Sequence, residues 1–264
     1  MKIEVYRALW GMEGSIEQQF ERIAAAGYDG VEVWLTGSTF SRDHILRLTD
    51  QHHLRLIVAG AIANVSEIEP TLQAFAEYNP VKINIQSGID SMTFDEGKRF
   101  VEAMLQAEHK IGMSVMQETH RGKLLYAPWV AAAYLREFPD LHITADYSHW
   151  VNVCERLPID QAEALTLANT HAKHIHGRVG YEEGPQVPDP SAPEYASQLA
   201  WHEIQWKAIR DAQQASGETV LTFTPEYGPP AYLHTLPHTN VPVANLWDVC
   251  LWAANRARTQ FAQA

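Results

Sequence analysis

Four short apolar runs in this 264-residue chain end in groups that can bind a cation or move a proton. They close as Gln117-Glu118-Thr119-His120-Arg121, Ala145-Asp146-Tyr147-Ser148-His149, His174-Ile175-His176-Gly177-Arg178 and Pro225-Glu226-Tyr227-Gly228. Glu118, Asp146, His176 and Glu226 together supply three carboxylates and one imidazole. Taken singly, each is more ordinarily a helix cap or a salt-bridge partner. Their recurrence at the ends of four successive runs points instead to one shared site. Grouped carboxylates away from water need positive charge beside them. A divalent cation meets that need, and three oxygens with one imidazole suit Mn²⁺, with Mg²⁺, Co²⁺ or Zn²⁺ as other occupants. His174 shares a strand face with His176 but lies deeper, so it reads as a layer residue or a support for the ligands. His171, His142, His52 and His53 fall at the starts or ends of elements and read as structural.

Such a site needs elements that deliver the four residues to one rim. The hydrophobic period predicts strands at 3–9, 30–35, 54–60, 81–86, 113–118, 142–146, 173–178 and 220–226. Amphipathic helices alternate with them near 15–26, 41–52, 66–77, 94–111, 128–137, 160–170, 197–216 and 243–261. Ser15 with Gln18, Ser41 with His44 and Ser66 with Glu69 are expected helix starts, the last a capping box. The strands carry apolar residues on both faces, as in a buried parallel sheet. Eight strand–helix repeats predict one (β/α)₈ barrel domain over residues 1–264. A doubly wound open sheet is the alternative, but the first turn, Leu9-Trp10-Gly11-Met12-Glu13-Gly14, lacks its glycine-rich phosphate pattern. Two long connections, 179–196 and 227–242, follow the seventh and eighth strands. Tyr181, Glu182, Gln186, Tyr232, His234 and His238 in them are candidates for reading a substrate.

Composition narrows the function. Thirty-two acidic against 20 basic residues give a net charge of -12, which disfavours binding to a phosphate backbone. Cys154 and Cys250 show no paired spacing, so neither a disulfide framework nor a cysteine zinc site is expected, in keeping with a cytoplasmic protein. No apolar run is long enough to span a membrane. Glu4 interrupts the apolar stretch that a secretory leader would need. The last helix gathers Leu246, Trp247, Val249, Leu251 and Trp252, which makes it a candidate surface for a homo-oligomer.

With Asp146-x-x-His149 and His176-x-Arg178 beside it, the set Glu118, Asp146, His176 and Glu226 resembles that of the xylose isomerase-like barrel superfamily. That superfamily includes sugar isomerases, ketose 3-epimerases, inosose dehydratases and metal-dependent apurinic endonucleases. The resemblance spans the whole chain and implies that the four residues bind one divalent ion. It further implies that Glu118 and Glu226 move protons, that His149 and Arg178 hold substrate oxygens, and that Arg121 orients Glu118. Glu32 looks like the early acidic residue of the pocket or its support, and His120 joins the substrate-binding set. Trp10, Trp34 and Trp150 would be flat pocket walls or core.

Two relatives fit less well. His120 stands where xylose isomerase proper has a lysine. The third and fourth strand ends, Ala59-Gly60-Ala61 and Ile85-Gln86-Ser87-Gly88, lack the extra histidines of the endonucleases, and Asp189-Pro190-Ser191 keeps their aspartate without its histidine. The expectation is a metal-dependent sugar isomerase or epimerase of carbohydrate metabolism, transferring a proton beside the carbonyl of a small ketose, inosose or related compound. A keto-polyol dehydratase on the same site is the alternative; an apurinic endonuclease or a non-catalytic metal-binding barrel lies further off. No glycine-rich anion nest follows strands seven and eight, which favours unphosphorylated substrates.

Overall fold

A computed structural model describes residues 1–262 of the chain. Eight parallel strands close into a barrel in chain order. They are β1 (Lys2–Ala8), β2 (Gly30–Trp34), β3 (Arg55–Ile62), β4 (Lys82–Ser87), β5 (Val115–Glu118), β6 (Ile143–Ala145), β7 (Ala172–His176) and β8 (Val220–Thr224). The ring closes where Lys2 to Val5 of β1 run in register with Val220 to Phe223 of β8. The expected (β/α)₈ barrel is therefore the observed architecture, and the open sheet is excluded.

Around the barrel lie α1 (Ile16–Ala25), α2 (Arg42–His52), α3 (Val65–Ala76), α4 (Phe94–Ile111), α5 (Pro128–Glu137), α6 (Tyr147–Cys154), α7 (Ala162–His171), α8 (Ala196–Ala215) and α9 (Leu246–Ala262). Outward strand residues such as Val31, Val33, Ile83, Ile85 and Phe223 are fully buried beneath these helices. That double burial explains why the strands read as apolar runs. Ser15 caps α1 as expected and forms a full capping box with Gln18. The α3 box, however, is formed by Asn64 and Glu67 rather than by Ser66 and Glu69, with the Asn64 N–H donating to Glu67 at 3.1 Å. Ser41 precedes α2 without making a side-chain cap. Helix α6 was not expected from the hydrophobic period; Asp146 starts it by accepting the Ser148 N–H at 3.1 Å.

On α9, Val249 is buried, and Leu246, Trp247, Leu251 and Trp252 pack part-buried against the core. No helix among the described residues is long and apolar enough to cross a membrane. Both cysteines are buried and free.

Candidate functional site

The barrel interior is polar where most barrels are aliphatic, and strand alternation builds it. On β4 the inward face carries Lys82, Asn84 and Gln86; on β7 it carries His174 and His176; on β8 it carries Thr222 and Thr224. The Asn84 amide reaches across the lumen, donating to Glu118 Oε2 at 3.1 Å and to Glu32 Oε1 at 3.4 Å. Glu32 also accepts from the Thr224 hydroxyl at 2.6 Å. Its two oxygens lie 3.3 Å from His174 Nε2 and 3.0 Å from His176 Nε2. His174 is anchored in turn on the Thr222 hydroxyl, 2.8 Å from its Nδ1. His174 is thus the support below the ligands, and Glu32 ties both histidines together.

Above this layer the four expected ligands converge. Glu118 ends β5, Asp146 follows β6, His176 ends β7, and Glu226 lies just past β8. One ligand atom from each falls within 4.8 Å of the others. His176 Nδ1 lies 3.1 Å from Glu226 Oε2 and 3.7 Å from Glu118 Oε1. Gly177 makes the turn beyond His176 possible, because a Cβ there would stand 1.8 Å from the Phe223 ring.

The donor chemistry fits a divalent cation. Glu118 Oε1 and His176 Nδ1 are buried and make no hydrogen bond. Buried polar atoms rarely lack partners, so two of them in one cluster mark a candidate coordination site. Glu32 holds a proton on Nε2 and leaves Nδ1 as the nitrogen that would face an ion in place of its own proton, the carboxylate–histidine arrangement of metal sites. Burial alone would raise the Glu118 carboxyl, but the charges of His176, His120 and Arg178 outweigh it and hold the group at about 2. For His176, burial works against protonation, and the carboxylates of Glu226, Glu32 and Glu118 overcome it, pushing the imidazole well above its ordinary value. The site is built to hold positive charge.

Arg178 frames the cluster on one side. Its guanidinium pairs with Asp146, lies 3.5 Å from Glu226 Oε2 and donates to His149 Nε2 at 2.7 Å. The last bond leaves His149 Nδ1 as the protonated nitrogen, and it has no partner. Burial and the neighbouring Arg178 charge hold His149 well below its ordinary pKa, so it is neutral. The His120 and His149 rings lie against each other, tilted by 45° with centroids 3.8 Å apart.

A cavity of about 730 Å³ opens over the cluster. Of the expected pocket residues, Trp10, Glu32, Trp34, His120, Arg178, Glu226 and Tyr232 line it. Trp10 stands edge-on to Tyr232 at 5.0 Å and lies over Gly228, where a Cβ would meet the indole at 2.1 Å. His149 is buried behind Arg178 rather than on the wall. Arg121 bonds Asn152 at 3.0 Å and faces the Tyr232 ring; the neutral donor on Glu118 is Asn84. Trp150 is core, fully buried, with its N–H on the Leu125 carbonyl. Among the long-loop candidates only Tyr232 reaches the cavity. Gln186 instead staples the two loops together through the Gly228 carbonyl and N–H, Tyr181 meets His234 at 3.2 Å, and Glu182 accepts from Gln198. Asn84, Gln86 and Phe40 were missed; the inward period of β4 was the available signal for the first two.

The chain matches no protein-family model, and no curated protein matches its sequence. Solved structures match its shape. The 3-keto-D-glucoside 4-epimerase YcjR of E. coli superposes with a TM-score of 0.65 at 14% identity, over 98% of this chain and 100% of that one. The probable 3-DHS dehydratase AsbF of Bacillus anthracis gives 0.61 at 15%, over 96% and 98%. A family 2 AP endonuclease of Brucella melitensis gives 0.61 at 17%, over 86% and 93%. At such identities the likeness is one of fold, and the fold of this chain is that of the xylose isomerase-like TIM barrels.

Proposed function

We propose that this chain is a divalent-metal-dependent isomerase or epimerase that moves a proton beside the carbonyl of a small ketose, inosose or related hydroxy-carbonyl compound. One observation carries the reading: Glu118, Asp146, His176 and Glu226 converge with two unpartnered ligand atoms under a cavity that opens at the barrel mouth. A bound divalent ion, Mn²⁺ by preference, supplies Lewis acidity that polarises a substrate carbonyl and acidifies the adjacent C–H. Glu118 and Glu226, from β5 and from beyond β8, are the two carboxylates placed to take and return that proton. Arg178, its charge shared between Asp146 and Glu226, is placed to hold a substrate oxygen, and His149 keeps the guanidinium in position. Trp10, Trp34 and Tyr232 give the cavity the flat walls that a sugar or polyol ring packs against.

Turnover of an accepted ketose in D₂O should place deuterium on the carbon next to the carbonyl, read by NMR. Glu118→Gln and Glu226→Gln should each lose that exchange while keeping much of the metal affinity, because an amide oxygen can ligate weakly but cannot accept the proton. Turnover without solvent deuterium at any carbon would overturn the two-glutamate mechanism in favour of a hydride shift. Release of water from the substrate together with the exchange would redirect the proposal to a dehydratase using the same first step.

A further inference from the structure

A second cavity, of about 460 Å³, lies between the β1–α1 loop, the β8–α9 loop and the start of α9. Pro229, Pro230 and Leu246 give it an apolar side, and Arg7, Arg22 and Glu13 give it charge. Ala8 lines the barrel-mouth cavity, so alternation along β1 sends Arg7 to the opposite face, outward beneath the helices. The Arg7 side chain is only 1% exposed. Its one hydrogen bond runs from Nη1 to the carbonyl of the adjoining Ala8, and Nε has no partner.

Among the described residues no carboxylate comes within 4.0 Å of Arg7 or of Arg22. The other two buried arginines, Arg178 and Arg210, each meet an aspartate. A guanidinium stays charged inside a protein and its N–H groups need acceptors, so a buried one without an anion is incomplete. Arg22 is fixed at the same cavity with its guanidinium 3.8 Å over the Trp247 ring, leaving its N–H edge to meet a ligand. The start of α9 is already capped, because the N–H groups of Trp247 and Asp248 donate to Asn245 Oδ1 at 3.0 and 3.2 Å. The anion must therefore be met by the arginines.

We propose that this cavity binds a small anion through a phosphate or carboxylate group held by Arg7 and Arg22, separately from the barrel-mouth site. Its volume falls within the range of small-molecule pockets, roughly 300–1,000 Å³. Orthophosphate alone would leave space, so the anionic group is expected to carry an uncharged portion seated on the prolines. Exposed Glu13 at the edge works against ligands with a second anionic group.

Isothermal titration of the metal-loaded protein with orthophosphate, glycerol 3-phosphate and isobutyrate, at constant ionic strength, tests the proposal. Saturable binding of one equivalent is expected, weakened about tenfold or more by Arg22→Gln and abolished by Arg7→Gln. Should Arg7→Gln fail to fold, Arg22→Gln, at an exposed position, carries the test alone. Tighter binding of the phosphates assigns a phosphate ligand; tighter binding of isobutyrate assigns a carboxylate. No saturable heat with any of the three, or binding that survives both arginine variants, would overturn the site. So would binding lost in Asp146→Ala, because it would belong to the barrel mouth.

Discussion

His176 meets three carboxylates, and the question at the residue scale is which of its nitrogens faces which. Glu32 takes Nε2, so Nδ1 is the nitrogen that faces Glu118 and Glu226, where a cation would take the place of its proton. Glu32 is therefore a positioning residue. Glu32→Gln can donate to Nε2 and move the ring proton to Nδ1, which removes the ligand lone pair. Mn²⁺ titration followed by electron paramagnetic resonance should show affinity falling about 10- to 100-fold in Glu32→Gln, the usual effect of losing such a support. Asp146→Ala and His176→Ala should lose stoichiometric binding altogether. Unchanged affinity in Glu32→Gln would deny Glu32 this role. That Glu118, Asp146, His176 and Glu226 would meet was legible in the sequence because four successive strands each end in one of them. Asn84 was not, because one amide in Lys-Ile-Asn-Ile-Gln carries no chemical signature until the barrel closes and brings Glu32 and Glu118 to it. For Trp150 the sequence left pocket wall and core both open, because an indole beside His149 suits either; it is core, its N–H on an internal acceptor and its ring stacked on Tyr147 at 4.6 Å.

At the scale of the element, β4 shows what the hydrophobic period conceals. Its apolar half, Ile83 and Ile85, marks a strand; its polar half runs up the barrel axis from Lys82 through Asn84 to Gln86. Outward faces were legible because burial against helices demands aliphatic residues, whereas inward faces follow the local needs of the lumen. Element boundaries drifted where two solutions share one spacing: Asn64 and Glu67 satisfy the capping box as Ser66 and Glu69 would, so the cap of α3 falls two residues sooner although β3 runs on to Ile62. Lys82 spans the lumen below the site, donating to the Lys173 carbonyl and to the Thr222 hydroxyl, with no carboxylate on its ammonium. Burial lowers its pKa to about 8. Between about 8 and about 10.5 the unfolded chain then holds more proton than the folded one, so stability rises with pH across that window. Below it both states are protonated and the folded state bears the full cost, at most ~3 kcal/mol for a shift of this size. Lys82→Met should therefore stabilise the barrel at pH 7 by ~1–2 kcal/mol once the lost hydrogen bonds are counted. The gain should shrink as pH rises towards 10. Urea denaturation at the two pH values checks this; a variant less stable than the parent at pH 7 would show that the ammonium's hydrogen bonds outweigh its burial.

For the whole molecule the deciding quantity is the field set by net charge, because this fold alone serves both small-molecule enzymes and an AP endonuclease. With a charge of -12, the chain repels a phosphodiester backbone unless a basic track offsets it locally. The mouth offers no such track. Arg178 is a single buried cation balanced by Asp146 and Glu226, enough for one substrate oxygen but not for a backbone, and Arg121 is held on Asn152 beneath Tyr232. The rim beyond them is Trp10, Trp34 and Phe40, suited to a compact ring rather than to an extended strand. The ends of β3 and β4 bring Ala59, Gly60, Ala61 and Gln86 to the mouth, where a cluster of three metal ions would need further imidazoles. Duplex DNA carrying an abasic site should accordingly be neither retained nor incised, with Mn²⁺ or with Zn²⁺, even at about 50 mM salt where backbone contacts are strongest. Gel-shift and nicking assays on the metal-loaded protein read both outcomes. Incision that Glu118→Gln abolishes would move the chain to nucleic-acid chemistry and overturn the proposed small-molecule substrate, while retention without incision would place an unrecognised basic surface outside the mouth.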